Sequence, residues 1–195
     1  MKKVCSMLML AAAALAFQSC GGSSSNDSKA NADSANHTKD TSTNAVETGG
    51  IAVVGDDAEF AVAAANGGMA EVELSKLAAT KATNAKVKEF ATMMTKDHMT
   101  ANEELMALAK TKNITLPTTV GADEQKTMGD IQAKSGTEFD KAYVDQMVSD
   151  HKKTVDLFEK ATTDAKDADI KSFAIKTLPT LKNHLAAIEA IQKGM

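Results

Sequence analysis

Cysteine, proline and aromatic residues are scarce: the 195 residues include two cysteines, two prolines, one tyrosine and no tryptophan. With no stripe of basic residues and no set of aromatic side chains on which bases could stack, nucleic acid is not an expected partner. The motifs of phosphate-binding loops, serine hydrolases, zinc proteases and dithiol redox proteins are also absent. These absences exclude the common enzyme classes that a sequence motif identifies.

Long apolar runs are equally rare, because the chain has only one, at its start. The basic "MKK" is followed by "VCSMLMLAAAALAF", which is too short for a membrane span and is typical of a secretory signal. The run ends in "FQSC", so we predict a lipoprotein signal peptide over residues 1–19 and an acylated Cys20. The alternative is ordinary cleavage to a soluble exported protein. Cleavage also removes Cys5, so that no disulfide can form in the mature chain.

Residues 20–55 are predicted to form a flexible tether, because they are nearly all small or polar and cannot bury enough apolar surface to fold. His37 lies in this segment and is interpreted as a solvated side chain without a function. The folded domain is predicted to span residues 56–195.

Helical periodicity and an abundance of Ala, Lys, Glu, Leu and Met indicate an all-α domain. Asn84 and Asp167 are suitable N-caps. Short loops within each pair of long helices require antiparallel neighbours, and the link between the pairs is longer. The predicted long helices span about 57–81, 85–112, 137–163 and 167–193, with a shorter one at about 122–134.

An internal repeat relates the two halves of this domain. "EF" followed by "KAT" occurs at Glu59–Thr83 and again at Glu138–Thr162, and "VKEFA" is matched later by "IKSFA". The repeat predicts a duplicated helical hairpin, whose two copies would bury their apolar faces as a four-helix bundle.

Each long helix carries one polar residue in its apolar stripe, and all four can bind metal. The residues are Glu71, His98, His151 and His184. The distance of each residue from its short loop follows from a rise of about 1.5 Å per residue along the helix axis. By this measure Glu71, His98 and His151 lie at similar depths in the bundle. His184 is expected about one turn deeper, beyond a kink that Pro179 should introduce.

Such groups are costly to bury without partners, so they should meet each other, water or a metal ion. One carboxylate and three imidazoles could hold zinc, iron or copper. Asp97, Asp145 and Asp150 could supply further oxygens or hydrogen bonds to the ligands, and Met94 and Met147 could offer sulfur. The alternatives are that the methionines fill the core and that the histidines form a hydrogen-bonded layer fixing helix register, or lie at the rim.

Several motifs resemble the domain of unknown function 4142 family: "EFAVAAANGGMAEVELSKLAATKATNAKVKEFATMMTKDH", "FDKAYVDQMVSDHKKTVDLFE" and "IKSFAIKTLPTLKNHL". The resemblance implies a ferritin-like fold and a place in the outer membrane or envelope, but no activity. Ferritin-like di-iron proteins carry Glu-x-x-His on two helices, whereas Thr95 and Leu181 stand three residues before His98 and His184. The sequence therefore argues against di-iron chemistry and iron storage.

Two functions remain as expectations. One is a lipid-anchored envelope protein, an outer-membrane lipoprotein facing the periplasm or cell surface, whose bundle is a binding or structural module. The other is a metal-binding or redox bundle built on the buried Glu/His layer. The membrane is the expected partner of the anchored form.

Overall fold

The computed structural model describes residues 27–40, 53 and 55–195 of the chain. The predicted signal peptide, Cys20 and most of the predicted tether lie outside the described residues. The described part is all-helical, as the periodicity predicts. Its helices are α1 (Ser28–Asp40), α2 (Gly55–Lys81), α3 (Ala85–Thr111), α4 (Ala122–Gln132), α5 (Gly136–Asp164) and α6 (Ala168–Lys193). No described helix is both long and apolar enough to cross a bilayer.

The long helices form two antiparallel hairpins, α2–α3 and α5–α6, which pack against each other through α2 with α5 and α3 with α6. Both predicted N-caps are confirmed. The Asn84 side chain accepts a hydrogen bond from the backbone amide of Lys86. The Asp167 side chain accepts hydrogen bonds from the backbone amides of Asp169 and Ile170. These bonds satisfy donors that the first turn of a helix leaves unpaired.

Each hairpin turn is held by a buried carboxylate of the other hairpin. Asp140 in α5 accepts from the backbone amides of Thr83 and Asn84, at 2.9 and 2.8 Å. Asp57 in α2 accepts from the amides of Lys166 and Asp167, at 3.1 and 2.7 Å. We call these the reciprocal clasps. They place the two turns at opposite ends of the bundle.

Because the turns are at opposite ends, α3 and α5 run in the same direction, and the connection between them crosses the length of the bundle with α4 on its path. A bundle with one long crossover is the topology found in ferritin-like proteins. The ferritin-like assignment itself stays a prediction.

The segment predicted to be a tether differs from that expectation over residues 28–40, which form α1 instead of coil. This helix packs on α2 and is fixed to the α3–α4 connection. Asn36 is only 4% exposed; it donates to the Thr115 carbonyl at 2.8 Å and accepts from the Thr115 amide at 2.7 Å. The helix is stabilised by these tertiary bonds and not by a broad apolar face, which is why its composition misled the prediction. His37 lies on α1 and is exposed.

The core consists of two apolar clusters, one toward each end of the bundle. One cluster includes Phe60, Leu105 and Phe158, and the other includes Leu74, Phe90 and Tyr143. Along every long helix the boundary between the clusters falls at one polar residue. The bundle is therefore divided at mid-height by a buried polar layer.

Candidate metal centre

The buried polar layer is made of the four residues that the sequence singles out. Glu71 comes from α2, His98 from α3, His151 from α5 and His184 from α6. Their exposed fractions are 2%, 5%, 0% and 2%. The structure thus brings all four side chains together in the interior; the binding of an ion by them stays a prediction.

The inward direction of each histidine is set by its apolar neighbours at helical spacing. On α5, Met147 and Val155 stand four residues before and after His151, and both are buried. On α6, Leu181 stands three residues before His184 and Ile188 four residues after it, and both are buried. Residues three or four apart share one face of a helix, so burial of these neighbours turns the imidazoles into the core.

The three histidines form a compact group. Each offers one ring nitrogen, and the three nitrogens lie within 4.8 Å of one another. The ring centroids are 5.3 Å apart for His98 and His184 and 5.6 Å apart for the other two pairs. These separations are comparable with the rise of one helical turn, about 5.4 Å, so the expectation that His184 would lie a turn deeper stays a prediction.

An ion centred among the three nitrogens would need only a small contraction of the group. At the corners of a triangle with 4.8 Å sides, the nitrogens would be about 2.8 Å from the centre, whereas zinc binds imidazole nitrogen at about 2.0–2.1 Å. Each side chain would move inward by less than about 1 Å, which rotations about the side-chain bonds can provide.

The opposite nitrogen of each ring has an acceptor beside it. His151 Nδ1 donates to the Met147 carbonyl at 2.9 Å, and His184 Nε2 donates to Asp97 Oδ2 at 3.0 Å. His98 Nδ1 lies 3.1 Å from Glu71 Oε2. The two hydrogen bonds hold the ring protons of His151 and His184 and leave the lone pair on the other nitrogen of each of these rings. Such carbonyl or carboxylate partners are what orients metal-binding histidines in proteins.

The remaining ring nitrogens have no hydrogen-bond partner among the described residues: His98 Nε2, His151 Nε2 and His184 Nδ1. Both oxygens of Glu71 are also unpartnered, since its approaches to His98 at 3.1 Å and to His151 at 3.5 Å lack hydrogen-bond geometry. Leaving a buried polar atom unsatisfied costs roughly 1–3 kcal/mol. The layer therefore contains several groups that protein partners alone do not satisfy.

Burial keeps Glu71, His98 and His151 neutral near pH 7 in the absence of an ion. Burial, with the nearby Asp150 charge, raises the pKa of Glu71 to about 8. Burial and the neighbouring imidazoles lower the pKa of His98 to about 3. Burial also lowers the pKa of His151, to about 4. The close approach of His98 to Glu71 is thus a contact of neutral groups and not an ion pair. Neutral imidazole is the form that binds metal.

The family model of a domain of unknown function, DUF4142, matches residues 36–191, which include the whole layer. The chain belongs to the DUF4142 family. No curated protein and no solved structure matches it. The family match begins within α1, so part of the segment predicted to be a tether belongs to the DUF4142 domain. Family membership itself names no reaction.

The other side chains considered from the sequence have different surroundings in the DUF4142 domain. Asp97 contacts His184, as described, whereas Asp145 is paired with Lys141 on the surface. Asp150 is half-buried and accepts from the Gln146 amide. Met94 and Met147 are part of an apolar core cluster, which fits the core-filling interpretation.

Sequence reasoning did not identify one further buried polar contact near the layer. Ser75 Oγ and Tyr143 OH lie 2.9 Å apart, and both residues are fully buried. Ser75 stands one turn after Glu71, so a helical projection of α2 could have found it. Burial raises the pKa of the Tyr143 hydroxyl. The hydrogen bond between Ser75 and Tyr143 therefore joins two neutral hydroxyl groups.

Proposed function

We propose that the DUF4142 domain of this chain binds one transition-metal ion through His98, His151 and His184, with Glu71 beside the ligands. The supporting observation is the pairing pattern within the rings. The three unpartnered nitrogens belong to rings that each bring one nitrogen to within 4.8 Å of the others, while the opposite nitrogens lie beside a backbone carbonyl or a carboxyl group. A layer that only fixed helix register would be expected to satisfy its own hydrogen bonds.

The donor set indicates the class of ion. Imidazole suits zinc, copper, iron and nickel, whereas calcium and magnesium prefer oxygen. Three protein ligands leave a position open, which is common at reactive zinc centres and unusual at structural ones. Glu71 approaches Nδ1 of His98 and of His151. We therefore give it the role of orienting these rings, in place of the direct ligand that the sequence suggested.

The test is a metal titration of the purified full chain after treatment with a chelator. We expect one zinc or cobalt(II) ion per chain and, at a free concentration of 1,000 times Kd, about 4 kcal/mol of added stability. His151→Ala should abolish both effects. His37→Ala removes the exposed histidine of α1 and should change neither. A wild-type chain that binds no ion, or a His151→Ala chain that binds as well as wild type, would refute the proposal.

We further propose that this metal-binding domain is held at the cell envelope by a lipid on Cys20, with the outer membrane as its place. Support comes from the sequence alone: a basic start, one apolar run and a cysteine directly after it. Each buried methylene of an acyl chain contributes about 0.8 kcal/mol, so several chains on one cysteine would anchor the protein stably.

Membrane fractionation tests the anchor. Cys20→Ser should move the protein from the membrane fraction to the soluble fraction. Cys5→Ser makes the same change inside the predicted signal peptide and should leave the protein in the membrane. If the Cys20→Ser protein stays with the membrane, the lipid anchor is wrong, whatever the result of the metal titration.

A further inference from the structure

A small cavity adjoins the polar layer inside the bundle. Its volume is about 20 Å³, and its lining includes Glu71 and His98 together with Ala64, Ala101, Asn102 and Thr177. A volume of 10–15 Å³ on this measure holds about one water molecule. The cavity thus offers water-sized space next to two members of the layer.

The lining residues of the cavity are buried at one end and half-buried at the other. Glu71 and His98 are buried, whereas Ala64, Ala101 and Asn102 are half-buried. The cavity therefore extends from the layer toward the surface of the bundle. Its buried end carries the unpartnered carboxyl oxygens of Glu71.

Asn102 is placed to close the cavity against α2. A Cβ atom added at Gly68 would lie only 2.2 Å from Asn102 Oδ1, so the amide fills the space that a side chain at position 68 would take. Gly68 is buried, and only a residue without a side chain allows the amide of α3 to lie this close to α2. Asn102 is half-buried, so a change of its side-chain rotamer could turn the amide outward.

We propose that this cavity is the access chamber of the metal site and that Asn102 is its gate. The proposal rests on the proposed function, since it describes how a transition-metal ion and a water-sized ligand reach the histidines. Outward rotation of Asn102 would open the chamber, and an ion would pass Glu71 and His98 before it met His151 and His184.

A surface groove on the α4 side is the competing route. It has a volume of about 270 Å³ and is lined by acidic residues that include Asp123, Glu124 and Asp150. None of the four layer residues lines this groove. The chamber is favoured because it is bounded directly by Glu71 and His98.

Stopped-flow uptake of cobalt(II) by the chelator-treated full chain tests the proposal. Asn102→Ala opens the gate and should raise the uptake rate about fivefold or more, while Ala101→Leu fills the chamber and should lower it to a similar extent. Asn183→Ala makes the same change as Asn102→Ala at an exposed position of α6 and should leave the rate unchanged. Asp150→Asn tests the competing groove. Stoichiometry and equilibrium affinity are measured for each variant.

The outcomes separate this proposal from the proposed function. Faster uptake in Asn102→Ala and slower uptake in Ala101→Leu, at unchanged stoichiometry, support the chamber. Wild-type rates in both variants overturn the chamber and leave the metal site standing. A rate that responds only to Asp150→Asn overturns it in favour of the groove. If the wild-type chain takes up no cobalt at equilibrium, the metal site and the chamber are both wrong.

Discussion

Replacement of Glu71 by glutamine gives a test of the buried layer that requires no metal. Burial raises the pKa of this carboxyl to about 8 in the folded chain, from an ordinary value of 4.5. Between these two values the folded state holds a proton that the unfolded state has released. The contribution of Glu71 to the free energy of unfolding of the metal-free protein must therefore fall as the pH rises through this window.

The histidines have the opposite effect at lower pH. Their folded pKa values, about 3 for His98 and about 4 for His151, lie below the ordinary 6.5. Below pH 6.5 the unfolded state binds more protons at these sites, so acid destabilises the fold. Stability should consequently be greatest near pH 6.5. From there to pH 8, the proton held by Glu71 alone corresponds to a loss of about 2 kcal/mol.

Urea denaturation at pH 6.5 and pH 8, in the presence of a chelator, measures this difference. Between the two pH values the wild-type chain should lose about 2 kcal/mol relative to Glu71→Gln, because an amide does not titrate and the histidine contribution is the same in both proteins. Glu73→Gln removes an exposed carboxylate two residues away and should behave as wild type. Equal losses in wild type and Glu71→Gln would show that the Glu71 carboxyl is not held neutral by burial.

Three further predictions concern stability; urea denaturation checks the first two and amide hydrogen exchange checks the third. Gly67→Ala should stabilise the fold by about 1 kcal/mol, because its Cβ would enter open space, whereas Gly68→Ala should gain less, because its Cβ would displace an asparagine amide. An equal gain at both positions would contradict the close helix approach at Gly68. Asp140→Ala should cost about 3 kcal/mol by removing one reciprocal clasp, and Asp145→Ala, on the exposed face of the same helix, less than about 1 kcal/mol. Similar costs would mean that the clasp contributes little. Asn36→Ala should detach α1, which is seen as loss of amide-exchange protection in residues 28–40 alone; unchanged protection would show that other contacts hold the helix.

Local patterns in the sequence were sufficient for the long helices. Apolar spacing located α2, α3, α5 and α6 to within a few residues, and the N-caps at Asn84 and Asp167 follow from the chemistry of the first turn. The burial of the four layer residues also follows from local spacing, because a polar residue between inward apolar neighbours has to share their face.

Depth along the bundle could not be predicted in this way. Heights counted from the short loops are comparable only if both loops lie at the same end, and the reciprocal clasps place them at opposite ends. Side chains also lean toward the N-terminus of their own helix, which brings His151 and His184 closer on antiparallel helices. The hydrogen-bond partner of each ring nitrogen could not be predicted for a similar reason. In the sequence, Asp97 and Asp145 are equally plausible partners, and only the packing of the helices distinguishes them.

Helix α1 could not be predicted from the sequence for a different reason. Its residues contain no apolar stripe, and its stability depends on hydrogen bonds from Asn36 to the backbone of Thr115, far along the chain. No local pattern specifies a partner at that distance. Only the packed bundle provides the unpaired backbone groups that hold this helix.

The reciprocal clasps mean that neither hairpin is complete by itself. Each supplies the carboxylate that closes the turn of its counterpart, so a chain with only one hairpin would leave both a turn and an acid without a partner. Two identical copies related by a twofold axis would satisfy both requirements at once. The duplicated chain has the organisation of such a homodimer fused end to end, with the crossover through α4 as the covalent link.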